Sequence, residues 1–330
     1  MTTITTTLLP MANPSNRDTE RAVARLHRRV ILGLVAFLAV APFFLYPVFI
    51  MKVLCFALFA LAFNLLLGFG GLLSFGHAAF FGIASYTTAY AAKHWHFTPE
   101  CAILAGTVVA AVVGLIFGAI AIRRQGIYFA MITLALAQML YFFALQAPEF
   151  TGGEDGIQAV PRGALFSLID LSSDMTLYVM TTVIFVGGLL LLYRVIHSPF
   201  GQVCKAIRDD EQRATSLGYD IDRYKLLIFV LSATLAGVAG STKAIVFQLA
   251  SLTDIHWSMS GEVILMTLVG GLGSIFGPIL GAAVIVSMQS YLAPLGAWVT
   301  VAQGTIFVVC VLSFRQGLIG FAKNFTNRPL

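Results

Sequence analysis

The chain has 330 residues, of which 58% are hydrophobic and 11% charged, and its formal net charge is +5. Soluble domains carry about 25% charged residues, and one soluble core cannot enclose this much apolar surface. The basic residues stand in short segments between long apolar runs, which is the arrangement that orients a membrane protein rather than one that binds nucleic acid. We therefore predict an all-α polytopic membrane protein that lies in the lipid bilayer and carries no soluble domain.

Residues 1–29 are predicted to form a cytoplasmic N-terminal tail. The first 16 residues are uncharged, and five arginines follow between positions 17 and 29, just before the first long apolar run. No small-residue cleavage site follows that run, so the segment is not typical of a secretory signal. A mitochondrial transit peptide is the alternative, and the acidic residues Asp18 and Glu20 argue against it.

A transmembrane domain is predicted over residues 30–315, with a cytoplasmic C-terminal tail at 316–330. A spanning helix needs about 20 mostly apolar residues. The candidate runs are 30–46, 48–67, 73–92, 101–122, 127–147, 175–194, 224–248, 262–274, 277–293 and 296–314. The run 262–274 is short, so it is either a crossing or a segment that re-enters the membrane. We predict about 8–10 transmembrane helices with glycine-interrupted segments.

The positions of the basic residues predict that both termini are cytoplasmic. Arg123 and Arg124 fall on the side of the N-terminal cluster after four crossings, and the inner loop 195–223 falls there after six. The loop 148–174 falls on the periplasmic side and carries five acidic residues against Arg162. The basic residues of the C-terminal tail lie inside only if the number of crossings is even, which disfavours nine.

Small residues recur at the spacing that lets helices approach closely in lipid. They occur as Gly114/Gly118, Ser232/Ala236/Gly240 and Gly277/Gly281. We interpret them as helix contacts within the chain, with a subunit interface as the alternative.

Two segments of the chain look alike. Residues 70–74 (Gly-Gly-Leu-Leu-Ser) recur at 270–274 as Gly-Gly-Leu-Gly-Ser, and each set interrupts apolar sequence. Paired glycine-broken segments in the two halves of a transporter mark a translocation site. The residues predicted to line or gate a pathway are Asn64, Gly70, Gly71, Ser74, His77, Gly270, Gly271, Gly273 and Ser274. The alternatives are a chance match and, for Asn64 and His77, simple hydrogen bonds between helices.

No catalytic residue, metal site or bound cofactor is predicted. The sequence has no Walker A motif, since the dipeptide Gly-Lys is absent, and it has no paired-histidine metal motif. Its four cysteines stand far apart and follow no metal or disulfide spacing. Polar residues within the spans are few, and we expect Lys243 to reach out to the outer interface and Glu262 to lie at the outer surface. The scarcity of ionisable groups suggests that the energy for transport enters elsewhere.

The inner loop carries the most informative soluble segment. Ser198-Pro199 predicts a helix start and Gly218 a helix stop, so we expect one helix over roughly 201–217. Its polar side would carry Arg208, Asp210 and Glu211. The helix could dock on a cytoplasmic partner, and the alternative is a solvated loop helix.

Several of these stretches together resemble the permease subunits of branched-chain amino-acid ABC transporters, in particular the M-type subunit of the leucine–isoleucine–valine system. The matching stretches are 64–82, 125–135, 151–157, 198–224 and 269–278. The resemblance covers about residues 30–315 and implies the ABC importer permease fold.

The resemblance implies a heteromeric importer in the bacterial inner membrane. A periplasmic substrate-binding protein captures the ligand, this chain and a second permease subunit form the pathway, and two ATP-binding subunits use the ATP. The inner loop resembles the family's coupling segment, with Arg208, Asp210, Glu211 and Gly218 as the coupling residues. In importers at large this segment carries Glu-Ala-Ala and then Gly, whereas here Gln212-Arg213 replaces the alanines and the spacing is one residue longer.

Other functions remain open at this point. Relatives of this kind also serve urea, short amides or aromatic acids, so the ligand is not decided by the resemblance. A stand-alone channel or secondary carrier would need a gradient alone, without partner subunits or ATP. A membrane-embedded enzyme is opposed by the lack of an acid–base or metal cluster.

Overall fold

The computed structural model describes residues 14–165 and 169–296, together with Trp298, Val301, Gly304, Thr305 and Val308. Over this part the α-helices are α1 (Pro14–Val40), α2 (Pro47–Asn64), α3 (His77–His94), α4 (Pro99–Ala121), α5 (Ile127–Gln146), α6 (Pro148–Thr151), α7 (Asp174–His197), α8 (Pro199–Asp209), α9 (Glu211–Ser216), α10 (Ile221–Phe247), α11 (Trp257–Gly270) and α12 (Gly277–Leu292). The strands are β1 (Ile157–Gln158), β2 (Ala164–Leu165), β3 (Ile169–Asp170) and β4 (Leu249–Ala250).

Prolines mark the starts of several helices. Pro47, Pro99 and Pro199 are the first residues of α2, α4 and α8. Proline suits this position because its fixed φ is helical and its missing N–H would have no partner in the first turn. Between α1 and α2 the chain passes through a 3₁₀ turn at Ala41–Phe43 and an extended Tyr46. The two first apolar runs are therefore separate helices, as the sequence predicts.

Helices α2 and α10 form the centre of the molecule. Every residue of α2 from Leu54 to Asn64 is buried. Helix α10 packs on α2, α3 and α4, while α2 also packs on α7, α11 and α12. Small residues allow this close approach: a Cβ at Gly114 would lie 2.5 Å from the Cβ of Ala233, and a Cβ at Gly281 would meet the backbone of Met266. These predicted small-residue sites are thus helix contacts within the chain.

The outer faces of α4, α5 and α7 are apolar and exposed. Leu104 of α4 is 62% exposed and Val183 of α7 is 65% exposed. By length and composition, five described helical segments can cross a membrane: Pro47–Phe69, Pro99–Ala121, Ile127–Gln146, Asp174–His197 and Ile221–Phe247. The apolar helices α11 and α12 are shorter, with 14 and 16 residues. The all-α polytopic fold is confirmed, since the strands have two residues each and lie in loops.

Two features of the predicted topology remain predictions. The count of eight to ten crossings remains a prediction, because α11 and α12 are too short to be assigned by length alone. The last run, 296–314, lies almost wholly outside the described residues, as does the C-terminal tail 316–330. In the N-terminal tail, by contrast, helix α1 already begins at Pro14 and continues into the first apolar run.

The described parts of the loop 148–174 take part in two small two-stranded sheets. Strand β1 pairs antiparallel with β4, with Ile157 opposite Ala250, and β2 pairs with β3, with Ala164 opposite Asp170. Arg162 Nη1 forms an ion pair of 3.2 Å with Asp174 at the start of α7. The loop is thereby attached to both α7 and the segment that follows α10.

Candidate functional site: two glycine loops and the segment docked on them

Two loops rich in glycine lie inside the molecule, and the second contacts the residues that come just before the first. We call residues 70–76 the first glycine loop and residues 271–276 the second glycine loop. Asn64, at the end of α2, donates from Nδ2 to the carbonyl oxygen of Ser274 at 2.8 Å, and its Oδ1 accepts from the Gly273 N–H at 3.1 Å. One buried amide side chain therefore satisfies a donor and an acceptor of the second loop, 210 residues away along the chain.

The two loops also share their local structure. Gly71 has φ +70° and Gly271 has φ +115°, a region that favours glycine because it has no Cβ. Ser74 Oγ accepts from the Gly76 N–H at 3.3 Å, and Ser274 Oγ accepts from the Gly277 N–H at 3.0 Å. Each serine thus satisfies a backbone donor at the start of the helix that follows its loop. The sequence similarity of 70–74 and 270–274 is accompanied by similar backbone geometry.

The first glycine loop is preceded by a π-helical turn at Leu65–Phe69. Such turns are rare and occur often at functional sites. A Cβ at Gly68 in this turn would lie 2.8 Å from the Gly273 nitrogen, so glycine is required for the two segments to touch. Gly70 and Gly270 are buried beside the same contact, Gly70 against Ile228 and Gly270 against the backbone of Gly277.

Helix α8 docks on this π-helical turn from the inner-loop side. Arg208 Nη1 donates to the carbonyl oxygen of Gly68 at 2.5 Å. A Cβ on Gly71 would lie 2.7 Å from Cγ of Arg208, so the arginine stem covers the first glycine loop. The rest of the guanidinium binds Asp209 Oδ1, at 2.9 Å from Nε and 2.7 Å from Nη2. Arg208 is exposed, as expected of a residue on the polar side of α8, and one of its guanidinium nitrogens also binds a backbone carbonyl of the π-helical turn.

The prediction of a single helix over 201–217 is wrong. Asp210 is extended, with φ −155°, and separates α8 from α9. Its carboxylate accepts from the Arg213 N–H at 3.0 Å and caps α9. An aspartate can offer this hydrogen bond in place of a continued helix, and that competition ends α8. The predicted start and stop are confirmed: Ser198 caps α8 by accepting from Gly201, and Gly218 follows α9 with φ +85°.

Glu211, the first residue of α9, connects three parts of the chain. Its Oε2 lies 2.8 Å from Nζ of Lys225 in α10, and its Oε1 accepts from Nε2 of Gln125 at 2.7 Å. The Lys225 side chain is buried, whereas the Glu211 side chain is one-third exposed. The inner segment is thus attached to α10 and to the turn before α5, as well as to the glycine loops through Arg208.

His77 lies apart from this contact, inside the bundle. Its Nε2 is 2.9 Å from the hydroxyl of Ser232 in α10, and the rings of Phe59, Phe63 and Phe80 surround it. The side chain is fully buried. The geometry is that of a hydrogen bond between helices, which was the alternative interpretation of this residue.

A buried ion pair near the other end of α10 was not predicted. Lys243 Nζ lies 2.6 Å from Asp254 Oδ2, and the two side chains are 9% and 3% exposed. The expectation that Lys243 reaches out to the interface is wrong, because Asp254 folds back over the end of α10 and supplies a counter-charge. Glu262, expected at the outer surface, is half-buried in α11 and accepts from Gln289 of α12 at 2.9 Å. Neither pairing leaves a signal in local sequence.

Among the described residues no group of three histidine, cysteine or acidic side chains is placed to hold a metal ion. What the site offers instead is a contact between two backbone loops and a helix pair docked beneath it. Long apolar helices with such broken segments between them define a multi-pass membrane transport protein.

The chain belongs to the family described as the permease component of branched-chain amino acid transport systems, whose model matches residues 47–313. This confirms the resemblance found in the sequence. The chain is 28% identical over 295 residues to the high-affinity branched-chain amino acid transport system permease protein LivM of Escherichia coli (strain K12), covering 81% of this chain and 68% of LivM. LivM of Salmonella typhimurium (strain LT2) matches over the same length with the same identity.

More distant matches include the xylose transport system permease protein XylH of Escherichia coli (strain K12). It is 24% identical over 181 residues, covering 51% of this chain and 44% of XylH. No solved structure matches the chain.

Proposed function

We propose that the chain is a permease subunit of an ABC importer for branched-chain amino acids of the leucine, isoleucine and valine type. It pairs with a second permease in the bacterial inner membrane, with both termini in the cytoplasm. Two ATP-binding subunits hydrolyse ATP, and a periplasmic substrate-binding protein delivers the ligand. The chain itself binds no cofactor and has no catalytic role. Family membership and the similarity to LivM support this assignment.

The observation that carries the proposal is the contact of Arg208 with Gly68 and Gly71. It joins the α8–α9 segment directly to the place where the two glycine loops meet. We propose that the ATP-binding subunits dock on this segment, with Asp210, Glu211 and Gly218 shaping it, and that the glycine loops gate the pathway. A displacement of α8 would then move Arg208 relative to the first glycine loop.

The energies are compatible with a gate. The second glycine loop is held to the end of α2 by the two hydrogen bonds of Asn64, and a hydrogen bond contributes about 0.5–1.5 kcal/mol net. The bond from the charged Arg208 contributes about 1.5–3 kcal/mol. These contacts are weak beside the packing of α2 against its neighbours, so the loops can separate while the bundle stays folded.

Reconstitution in liposomes tests the proposal. The chain is purified with its second permease, its ATP-binding subunits and its substrate-binding protein, and import of labelled leucine is followed with and without ATP. Import that needs ATP and every subunit supports the proposal. Import of urea, a short amide or an aromatic acid in place of leucine would support an importer of the same class with a different ligand. Uptake by the chain alone, driven by a gradient, would instead show a secondary carrier or channel.

A further inference from the structure

A cavity of about 370 Å³ lies beside the second glycine loop, on the side of the molecule where α8 docks. Its walls come from α1, the π-helical turn, α7, α8, the second glycine loop and α12. The residues that matter for its chemistry are His27, His197, Lys205, Ser274 and Leu280. Ligand cavities are commonly about 300–1,000 Å³, so this one suits a small molecule.

Three basic side chains from separate helices converge on this cavity. His27 of α1 is 8% exposed, and its Nδ1 has no hydrogen-bond partner in the described structure. His197 bonds the carbonyl oxygen of Tyr193 through Nδ1 at 2.8 Å, which requires the proton on Nδ1. Lys205 of α8 holds its ammonium 5.4 Å from the ring centre of Phe69. The Nδ1 atom of His27 is closed to solvent, so the ammonium of Lys205 is the charged group that this wall offers to a ligand.

The charge of the cavity favours an anion. None of the described residues that line it is acidic. Burial and then the neighbouring Arg208 lower the pKa of the Lys205 amine, whereas the carboxylate of Asp209 raises it, so an anion beside this amine stabilises its charged form. The lining stretch Gly273–Phe276 leads into the N-terminus of α12, where the helix dipole also favours negative charge.

The remaining walls are apolar. Val30, Ile196 and Leu280 present aliphatic side chains, and Phe69 and Phe276 present rings. A ligand that matches both kinds of wall has one anionic head and a short aliphatic body. An α-amino acid fits less well, because its ammonium would meet no acidic side chain among these lining residues.

We propose that this cavity is a binding site for a small aliphatic carboxylate that lacks an ammonium group. The carboxylate would lie against the ammonium of Lys205, with the aliphatic body against Leu280. Ser274 lines the cavity and also holds Asn64 through its carbonyl, so a bound carboxylate would stabilise the pairing of the two glycine loops. The site goes beyond the proposed transport function and is tested by binding alone.

The experiment uses the full chain in nanodiscs of neutral phosphatidylcholine, with 4-methylpentanoate as the probe in titration calorimetry. We expect saturable binding with one site per chain. Lys205→Gln should raise the Kd by about tenfold or more, the loss of one charge-assisted bond. Leu280→Trp should abolish binding by filling the cavity. Arg213→Gln, an exposed basic residue on α9 away from the cavity, is the matched control and should leave the Kd unchanged.

Further arms separate the alternatives. Leucine adds an ammonium, and 4-methylpentanamide removes the charge of the carboxylate. Each should bind at least about tenfold more weakly than 4-methylpentanoate. Thermal unfolding of each variant shows whether it is folded. If Leu280→Trp is not folded, His27→Gln provides a second polar variant. Equal binding by the parent and by Lys205→Gln, or no saturable binding, overturns the proposal. If the chain retains phosphatidylglycerol through Lys205 and binds no carboxylate, the proposal is overturned, and the cavity binds a lipid headgroup instead.

Discussion

Arg208 and Gly68 stand 140 residues apart in the chain, and the guanidinium of one is hydrogen-bonded to the carbonyl oxygen of the other at 2.5 Å. The acceptor belongs to a π-helical turn, and the donor belongs to a short helix outside the bundle. This contact links the inner segment to the π-helical turn, which the second glycine loop touches at Gly273.

Arg208→Ala should uncouple the complex. It removes the bond to Gly68 and leaves the α8–α9 segment attached to the bundle through Glu211 and Lys225. Ligand-stimulated ATP hydrolysis and leucine import in liposomes should fall by about tenfold, while basal hydrolysis by the ATP-binding subunits persists. Lys93→Ala, an exposed lysine at the end of α3 beside the loop 148–174, is the control and should behave like the parent. Parental import by Arg208→Ala would show that the contact has no part in coupling.

Substitutions at the meeting point of the glycine loops should block import without preventing assembly. A Cβ at Gly68 would lie 2.8 Å from the Gly273 nitrogen, so Gly68→Ala must push the loops apart. Gly71→Val and Gly271→Val add a β-branched residue where φ is +70° and +115°. Gly187→Ala is the control, since nothing lies within 4 Å of its Cβ position. Size-exclusion profiles report assembly, and unchanged leucine import in all three site variants would contradict the gate.

The end of α9 is followed by a residue in the left-handed backbone conformation. Gly218 has φ +85°, and a Cβ there would meet no neighbour within 4 Å, so only backbone strain opposes substitution. Gly218→Val should cost about 1–2 kcal/mol or more locally and reduce import several-fold. Gly218→Asn should stay close to the parent, because asparagine tolerates this conformation. Equal import by both variants would mean that the geometry of this stop is not needed for coupling.

Removing one member of the buried ion pair should be more harmful than removing both. Asp254→Asn leaves the Lys243 ammonium without its counter-charge in an apolar interior, which costs about 3–5 kcal/mol. The double variant Lys243→Met with Asp254→Leu removes both charges and should recover most of that loss. Thermal unfolding of the purified chain in detergent measures the difference. If the double variant is as unstable as Asp254→Asn, the unpaired charge is not the cause.

Cysteine labelling tests the predicted topology. In a cysteine-free variant, Ser172→Cys should react with an impermeant maleimide in intact spheroplasts, and Ser216→Cys should react only in inverted vesicles. Both positions are exposed. In a separate variant that keeps Cys204 of α8 as its one cysteine, this thiol should not react from either side at pH 7–9, because burial raises its pKa to about 12. The opposite labelling of positions 172 and 216 would invert the topology.

The helices could be predicted from the sequence because their signals are local. Apolar runs of sufficient length locate α2, α4 and α10 to within three residues of the predicted bounds, and a proline stands at the first position of α2 and α4. The repeated Gly-Gly-Leu segments also identified both glycine loops. The break at Asp210 was missed, because a capping aspartate in a charge-rich helix looks like any other solvated acid.

The sequence by itself determined the membrane class, the family, most helix bounds and the two broken segments. Only the tertiary structure decided that Asn64 joins the second glycine loop, that Arg208 binds the carbonyl oxygen of Gly68, and that Lys243 pairs with Asp254. Apolar length and turn chemistry act over a few neighbouring residues, so they can be recognised in any stretch of the chain. The partner of a polar side chain is set by which helices pack together, and that packing depends on the whole chain at once.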